Sequence, residues 1–242
     1  MTKKQAEAQA DREYNPLELT ELASTVESKL LKRPALPMEP FPMFGGAGIY
    51  AIFYSGSHPI YAPISGTLTP IYVGKAVPAG SRTGRTSAKI KLPIRDRLGE
   101  HKNSIAATSL TVTATSLLLA DFSFRYLVTE ETFIGLAERA MINSLKPVWN
   151  RVIDGFGNHG QGGGRGQQVR SRWDTLHPGR EAPARLPESP LSIEDIAAEV
   201  AAHFVANPPI GSESDLPEVT HADVVEDNDV SEGVDDDADS ES

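Results

Sequence analysis

Two short runs, Gly48-Ile49-Tyr50-Ala51-Ile52-Phe53-Tyr54 and Ile71-Tyr72-Val73-Gly74-Lys75, constrain this chain more than any other feature. Both are rich in β-branched and aromatic residues, which suit a pleated, half-buried surface. Pro59, Pro63, Gly66 and Pro70 punctuate the interval between them. The pattern predicts two antiparallel strands joined by a long, irregular connection. Its chemical consequence is two phenols, Tyr50 and Tyr72, held side by side on adjacent strands, with Lys75 at the exit.

Charge is divided unevenly along the 242 residues. The formal net charge is −10, but 13 of the 33 Asp and Glu lie between Glu213 and Glu241, where there is no Lys or Arg. The remainder holds 23 basic against 20 acidic residues and is mildly basic. Between Lys75 and Lys102, eight basic residues face only Asp96 and Glu100. Such a patch meets phosphate in nucleic-acid-binding proteins, although a solvated charged face looks the same in sequence. The chain has no cysteine, which excludes disulfides and a cysteine-based zinc site. No apolar run approaches the ~18 residues of a membrane span, and the polar N-terminus has no signal-peptide core, so a cytoplasmic protein is expected.

The predicted order of elements is α+β. Asn15-Pro16 reads as a cap and first helical position, and Leu19, Leu22, Val26 and Leu30 continue a helix to about Lys32. Pro34, Pro37, Pro40 and Pro42 then make an extended connector. Residues 78–91 read as a cationic loop, followed by a helix from Leu92-Pro93 through Ile105. Alternation of Phe122, Phe124, Tyr126 and Val128 gives a third strand. A helix from Thr129 carries Phe133, Leu136, Ala137, Ala140 and Met141 up to Pro147, and Leu191–Phe204 forms one more. The tail is low in apolar residues and is expected to be disordered. The segments are thus 1–44 (helix and connector), 45–155 (core), 156–190 (Gly/Arg-rich arm), 191–206 (helix) and 207–242 (acidic tail).

Gly48-Ile49-Tyr50 followed by Tyr72-Val73-Gly74 resembles the signature of the GIY-YIG nuclease superfamily, with Val in place of Ile in the second half. That resemblance implies a small central antiparallel sheet of about three strands flanked by helices. It also implies four further site residues. Arg97 and His101 lie four apart on one predicted helix, Glu138 lies in the next, and Asn150 follows that helix. Singly, each has an ordinary explanation as surface decoration, a wet helix edge or a turn cap. Together with the tyrosines, in the family's order, they imply phosphodiester hydrolysis. Glu138 is then the ligand of one Mg²⁺, which needs few protein oxygens because it keeps several waters. Arg97 binds the scissile phosphate, Asn150 orients the site, and Tyr50, His101 or Lys75 takes the proton of the attacking water.

Tyr72-Val73-Gly74-Lys75-Ala76-Val77-Pro78, Gly155-Phe156-Gly157-Asn158-His159 and Trp173-Asp174-Thr175-Leu176-His177-Pro178-Gly179-Arg180 resemble the GIY-YIG type II restriction endonucleases that cut CCGCGG. This implies double-stranded DNA as substrate, a homodimer to cut both strands of a palindrome, and a methyltransferase as functional partner. Guanine edges are read by Arg and Lys. Arg82, Arg85, Lys89 and Lys91 in the first loop, with His159, Arg165, Arg170 and Arg172 in the arm, are the expected DNA contacts. A repair or structure-specific nuclease and a catalytically dead DNA-binding module are the alternatives.

Overall fold

A computed structural model describes residues 19–77, 92–108, 117–157 and 169–211. Its centre is the strand Gly48–Tyr54 (β2), buried along its whole length. β2 pairs antiparallel with Tyr72–Ala76 (β3) on one side and Phe122–Val128 (β4) on the other. A two-residue strand, Leu36–Pro37 (β1), pairs with β4, giving a four-stranded sheet in the order β1-β4-β2-β3. The expected connector between the first helix and β2 therefore contributes an edge strand, where a proline costs no ladder hydrogen bond.

Burial on both faces explains why β2 reads as an unbroken apolar run. Successive side chains alternate between faces. Tyr50, Ile52 and Tyr54 join Ile94, Leu98 and Ile105 of the helix Pro93–Thr108. Ile49, Ala51 and Phe53 join Leu30 and Leu31 of the helix Leu19–Leu31, together with Ile134, Ala137 and Met141 of the helix Glu131–Leu145. These helices are α1 (19–31), α2 (93–108) and α3 (131–145); the sheet is the middle of three layers. Side chains within 19–24, and the expected helix start at Asn15-Pro16, lie outside the described residues, as do loop 78–91 and the tail from 212.

The short helices Val148–Arg151 (α4), Arg172–Leu176 (α5) and Glu181–Ala184 (α6) lead to Ile193–Ala206 (α7). A reciprocal capping box starts α7. Ser192 Oγ accepts from the Asp195 amide at 3.1 Å, and Asp195 Oδ2 accepts from the Ser192 amide at 3.1 Å. Trp173, Leu176, Ile196, Val200 and Phe204 enter the same core as Tyr50. After α7 the chain returns to the β2–β3 connection, where the Leu68 amide donates to Ile210 O and the Ile210 amide to Thr69 Oγ1. That connection holds a 3₁₀ helix, Pro59–Ile64, with Tyr61 and Ile64 buried.

Candidate active site

Because β3 lies at the sheet edge, residues from both of its faces reach one opening. Tyr72 and Gly74 share the face of Tyr50, whereas Val73 and Lys75 point towards α3. The result is an open pocket of about 460 Å³ lined by Tyr50, Tyr72, Lys75, Asp96, Arg97 and Glu138, among others. Strand register places Tyr50 opposite Gly74 and Ile52 opposite Tyr72, so the two phenols are diagonal neighbours with ring centroids 6.3 Å apart. Gly74 is required here: a Cβ at this position would come within 2.6 Å of Tyr50 Cζ.

α2 delivers two residues one turn apart. His101 is fully buried, and its Nε2 lies 2.7 Å from Tyr50 Oη. Arg97 stays half-buried at the pocket, with Nη1 donating to Glu100 Oε2 at 2.6 Å and Nη2 to Gly157 O at 2.7 Å. From the opposite face, Glu138 Oε2 accepts from Lys75 Nζ at 2.6 Å. Asn150 sits on the outer edge of β3. Its Oδ1 accepts from the Val73 amide at 2.8 Å and its Nδ2 donates to Val73 O at 2.9 Å, as a neighbouring strand would. The Trp149 amide adds a bond to Ile71 O at 3.0 Å. Asn150 thereby ties α4 to the strand that carries Tyr72.

Burial pushes the Tyr50 phenol well above its ordinary range, and Tyr72 and Glu138 add to the rise against the opposing pull of Arg97. Tyr72 is pushed up to about 12, again chiefly by burial. Burial alone would weaken the charge on Arg97, but Glu100 and the two phenols outweigh it and hold the guanidinium charged. Both phenols are therefore neutral at neutral pH. An unfolded phenol ionises near ~10 while the folded ones stay protonated, so their contribution is complete below pH ~10 and is lost as pH rises through 10 towards 12. Denaturant melts between pH 8 and 12 are expected to show this alkaline decline, and Tyr72→Phe is expected to make it shallower.

The DNA-contact residues expected from sequence fall into two groups. Arg82, Arg85, Lys89, Lys91, His159 and Arg165 lie outside the described residues. Arg170 is half-buried, with its amide donating to Pro187 O at 2.8 Å. Arg172 is engaged inside the chain: its guanidinium donates to Val152 O at 2.9 Å and pairs with Glu199 of α7. Trp173, the next residue, is wholly buried. Part of the basic run before it is also used internally, with Arg95 Nε donating to Pro42 O at 3.2 Å and Lys102 paired with Glu39 at 2.9 Å. Sequence reasoning overlooked Asp96 as a lining residue of the pocket, since an acidic residue beside Arg97 reads as ordinary helix-surface charge.

Among the described residues no group of three or more His, Asp or Glu forms a ready metal cage. Glu138 does fit a hard cation that keeps its waters: it is one carboxylate at an open rim, with phenol oxygens lining the same pocket. Tyr50 and Tyr72 thus lie on adjacent antiparallel strands, with Arg97, His101, Glu138 and Asn150 arranged around them. A profile of the Eco29kI GIY-YIG domain matches residues 42–204, so the chain belongs to the Eco29kI family of GIY-YIG restriction-type nucleases. Among curated proteins nothing matches the chain. Its substrate is accordingly DNA, and GIY-YIG nucleases are generally dependent on a divalent metal.

Proposed function

We propose that this protein is a type II restriction endonuclease that makes double-strand breaks at a short palindrome, CCGCGG, by Mg²⁺-dependent hydrolysis. The observation that carries the reading is the 2.7 Å contact of Tyr50 Oη with His101 Nε2 at the floor of a pocket that also presents Arg97, Lys75 and Glu138. Tyr50 is held neutral, so it acts by relay instead of as a stored phenolate. With Nε2 unprotonated, Tyr50 donates its proton to His101 while its oxygen takes one from the water. The new P–O bond forms from that water as the bond to the leaving oxygen breaks in line. Arg97 neutralises the phosphate with a fork of donors whose plane Glu100 and Gly157 O hold fixed. Glu138 would hold the Mg²⁺, which when bound would supply charge neutralisation for the reaction. Lys75, paired with Glu138, stays a counter-charge and does not serve as the base.

One pocket cuts one strand, so a palindrome calls for a homodimer with its sites related by a two-fold axis. A methyltransferase that protects the host's own CCGCGG sites is the functional partner. Loop 78–91 and the Gly/Arg-rich arm that begins at residue 156 supply the guanine contacts. The test is incubation with Mg²⁺ of a plasmid carrying one CCGCGG site. Discrete linear product that disappears with Glu138→Ala is the expected result. Smearing or nicking alone would refute the target, and tight duplex binding without cleavage would refute the enzyme.

A further inference from the structure

Apart from the one bond from Arg97 to Gly157 O, the motifs Gly155-Phe156-Gly157 and Trp173 to Arg180 have no role in the chemistry above, and the structure joins them. Arg180 forms a nearly buried bidentate pair with Asp174, with Nε donating to Oδ1 and Nη2 to Oδ2, both at 2.7 Å. The same Nη2 donates to Gly155 O at 3.0 Å, and Nη1 reaches Phe156 O at 3.5 Å. The guanidinium lies 4.6 Å over the Trp173 ring, and the Trp173 amide donates to Asp154 O at 3.0 Å. A planar fork with both carboxylate oxygens and a ring face occupied has little freedom left. The backbone of the Gly155–Gly157 turn is therefore pinned from behind.

The front of that turn touches the catalytic groups. Phe156, fully buried, stacks on His101 with centroids 4.5 Å apart and planes 15° from parallel, and meets Tyr72 edge-on at 5.0 Å. Gly157 O takes the Arg97 hydrogen bond, and a Cβ on Gly157 would come within 2.7 Å of Tyr72 Oη. Resting on the functional reading above, we infer that Phe156 and Gly157, braced by the Arg180–Asp174 pair, are positioning residues that fix the His101 imidazole, the Arg97 guanidinium and the Tyr72 hydroxyl for hydrolysis.

Two double-mutant cycles test this with the full chain, scored by single-turnover cleavage of any duplex the wild type cuts and by duplex binding without divalent metal. Phe156→Leu is expected to slow cleavage by about tenfold to a hundredfold, the order seen when a reacting group is misplaced by an ångström. Binding is expected to stay within about twofold, and in a His101→Ala background the substitution should add nothing. Gly157→Ala should slow cleavage similarly, and its effect should vanish in Tyr72→Phe, where the clashing hydroxyl is gone. Wild-type rates in both variants, losses that multiply in both cycles, or cleavage and binding lost in parallel would overturn the inference. Should Phe156→Leu fail to fold, the Gly157 cycle decides alone, because it leaves the core untouched. A wrong target sequence leaves the test standing. A wild type that cuts no duplex removes the function the turn serves, and the inference with it.

Discussion

Tyr50→Phe is expected to slow strand cleavage by about a thousandfold, the middle of the range for a positioned acid–base group. Phenylalanine fills the same buried space, since Tyr50 is only 1% exposed, so the sheet and its packing stay as they are. What goes is one hydroxyl and its contact with His101 Nε2, worth about 1 kcal/mol of stability. The variant should therefore bind duplex as the wild type does and melt within a few degrees of it, while its single-turnover rate collapses. Equal rates for the two proteins would remove Tyr50 from the relay. The same burial argues against Tyr50 as a covalent nucleophile, because attack needs the phenolate that the site disfavours. Cleavage at a chiral phosphorothioate is accordingly expected to invert configuration at phosphorus, whereas retention would signal a phosphotyrosine intermediate.

Much of this site was legible in the sequence because it follows from fixed periodicities. Period two along β2 and β3 puts Tyr50 and Tyr72 on one face, and a spacing of four on α2 stacks Arg97 over His101. Lys75 was harder to place. Alternation sends it to the other face, and only the position of β3 at the sheet edge returns it to the pocket beside Glu138. Aromatic residues among arginines were least legible. Trp173 flanked by Arg172 looks the same in sequence whether it stacks on a base or fills a core, and here it fills the core while Arg172 pairs with Glu199. The bracing of His101 by Phe156 joins residues 55 positions apart through tertiary contacts, so no local pattern announces it. The fourth strand was missed for a simpler reason: two residues carry no periodicity.

Glu138→Gln is expected to abolish cleavage, with a loss of at least about a thousandfold, if its carboxylate is the cation's protein ligand. A metal at a scissile phosphate contributes several kcal/mol of charge stabilisation, and each 1.36 kcal/mol is a factor of ten in rate. The amide keeps the shape and a hydrogen-bond acceptor for Lys75 but loses the charge. Stability should change little: the Lys75–Glu138 pair is 43% and 21% exposed at its side chains, and partly exposed pairs contribute about 0–1 kcal/mol. Affinity for metal-free duplex should hold or rise, because one negative charge leaves a pocket that must receive phosphate. Raising Mg²⁺ should not restore the rate, since among the described residues lining the pocket the one other carboxylate is Asp96, on α2. Rate measured against Mg²⁺ and Mn²⁺ concentration in both proteins checks this. Recovery at high metal would show that Glu138 only tunes affinity for an ion held elsewhere, and Asp96→Asn in the same background would then be the variant that silences the enzyme.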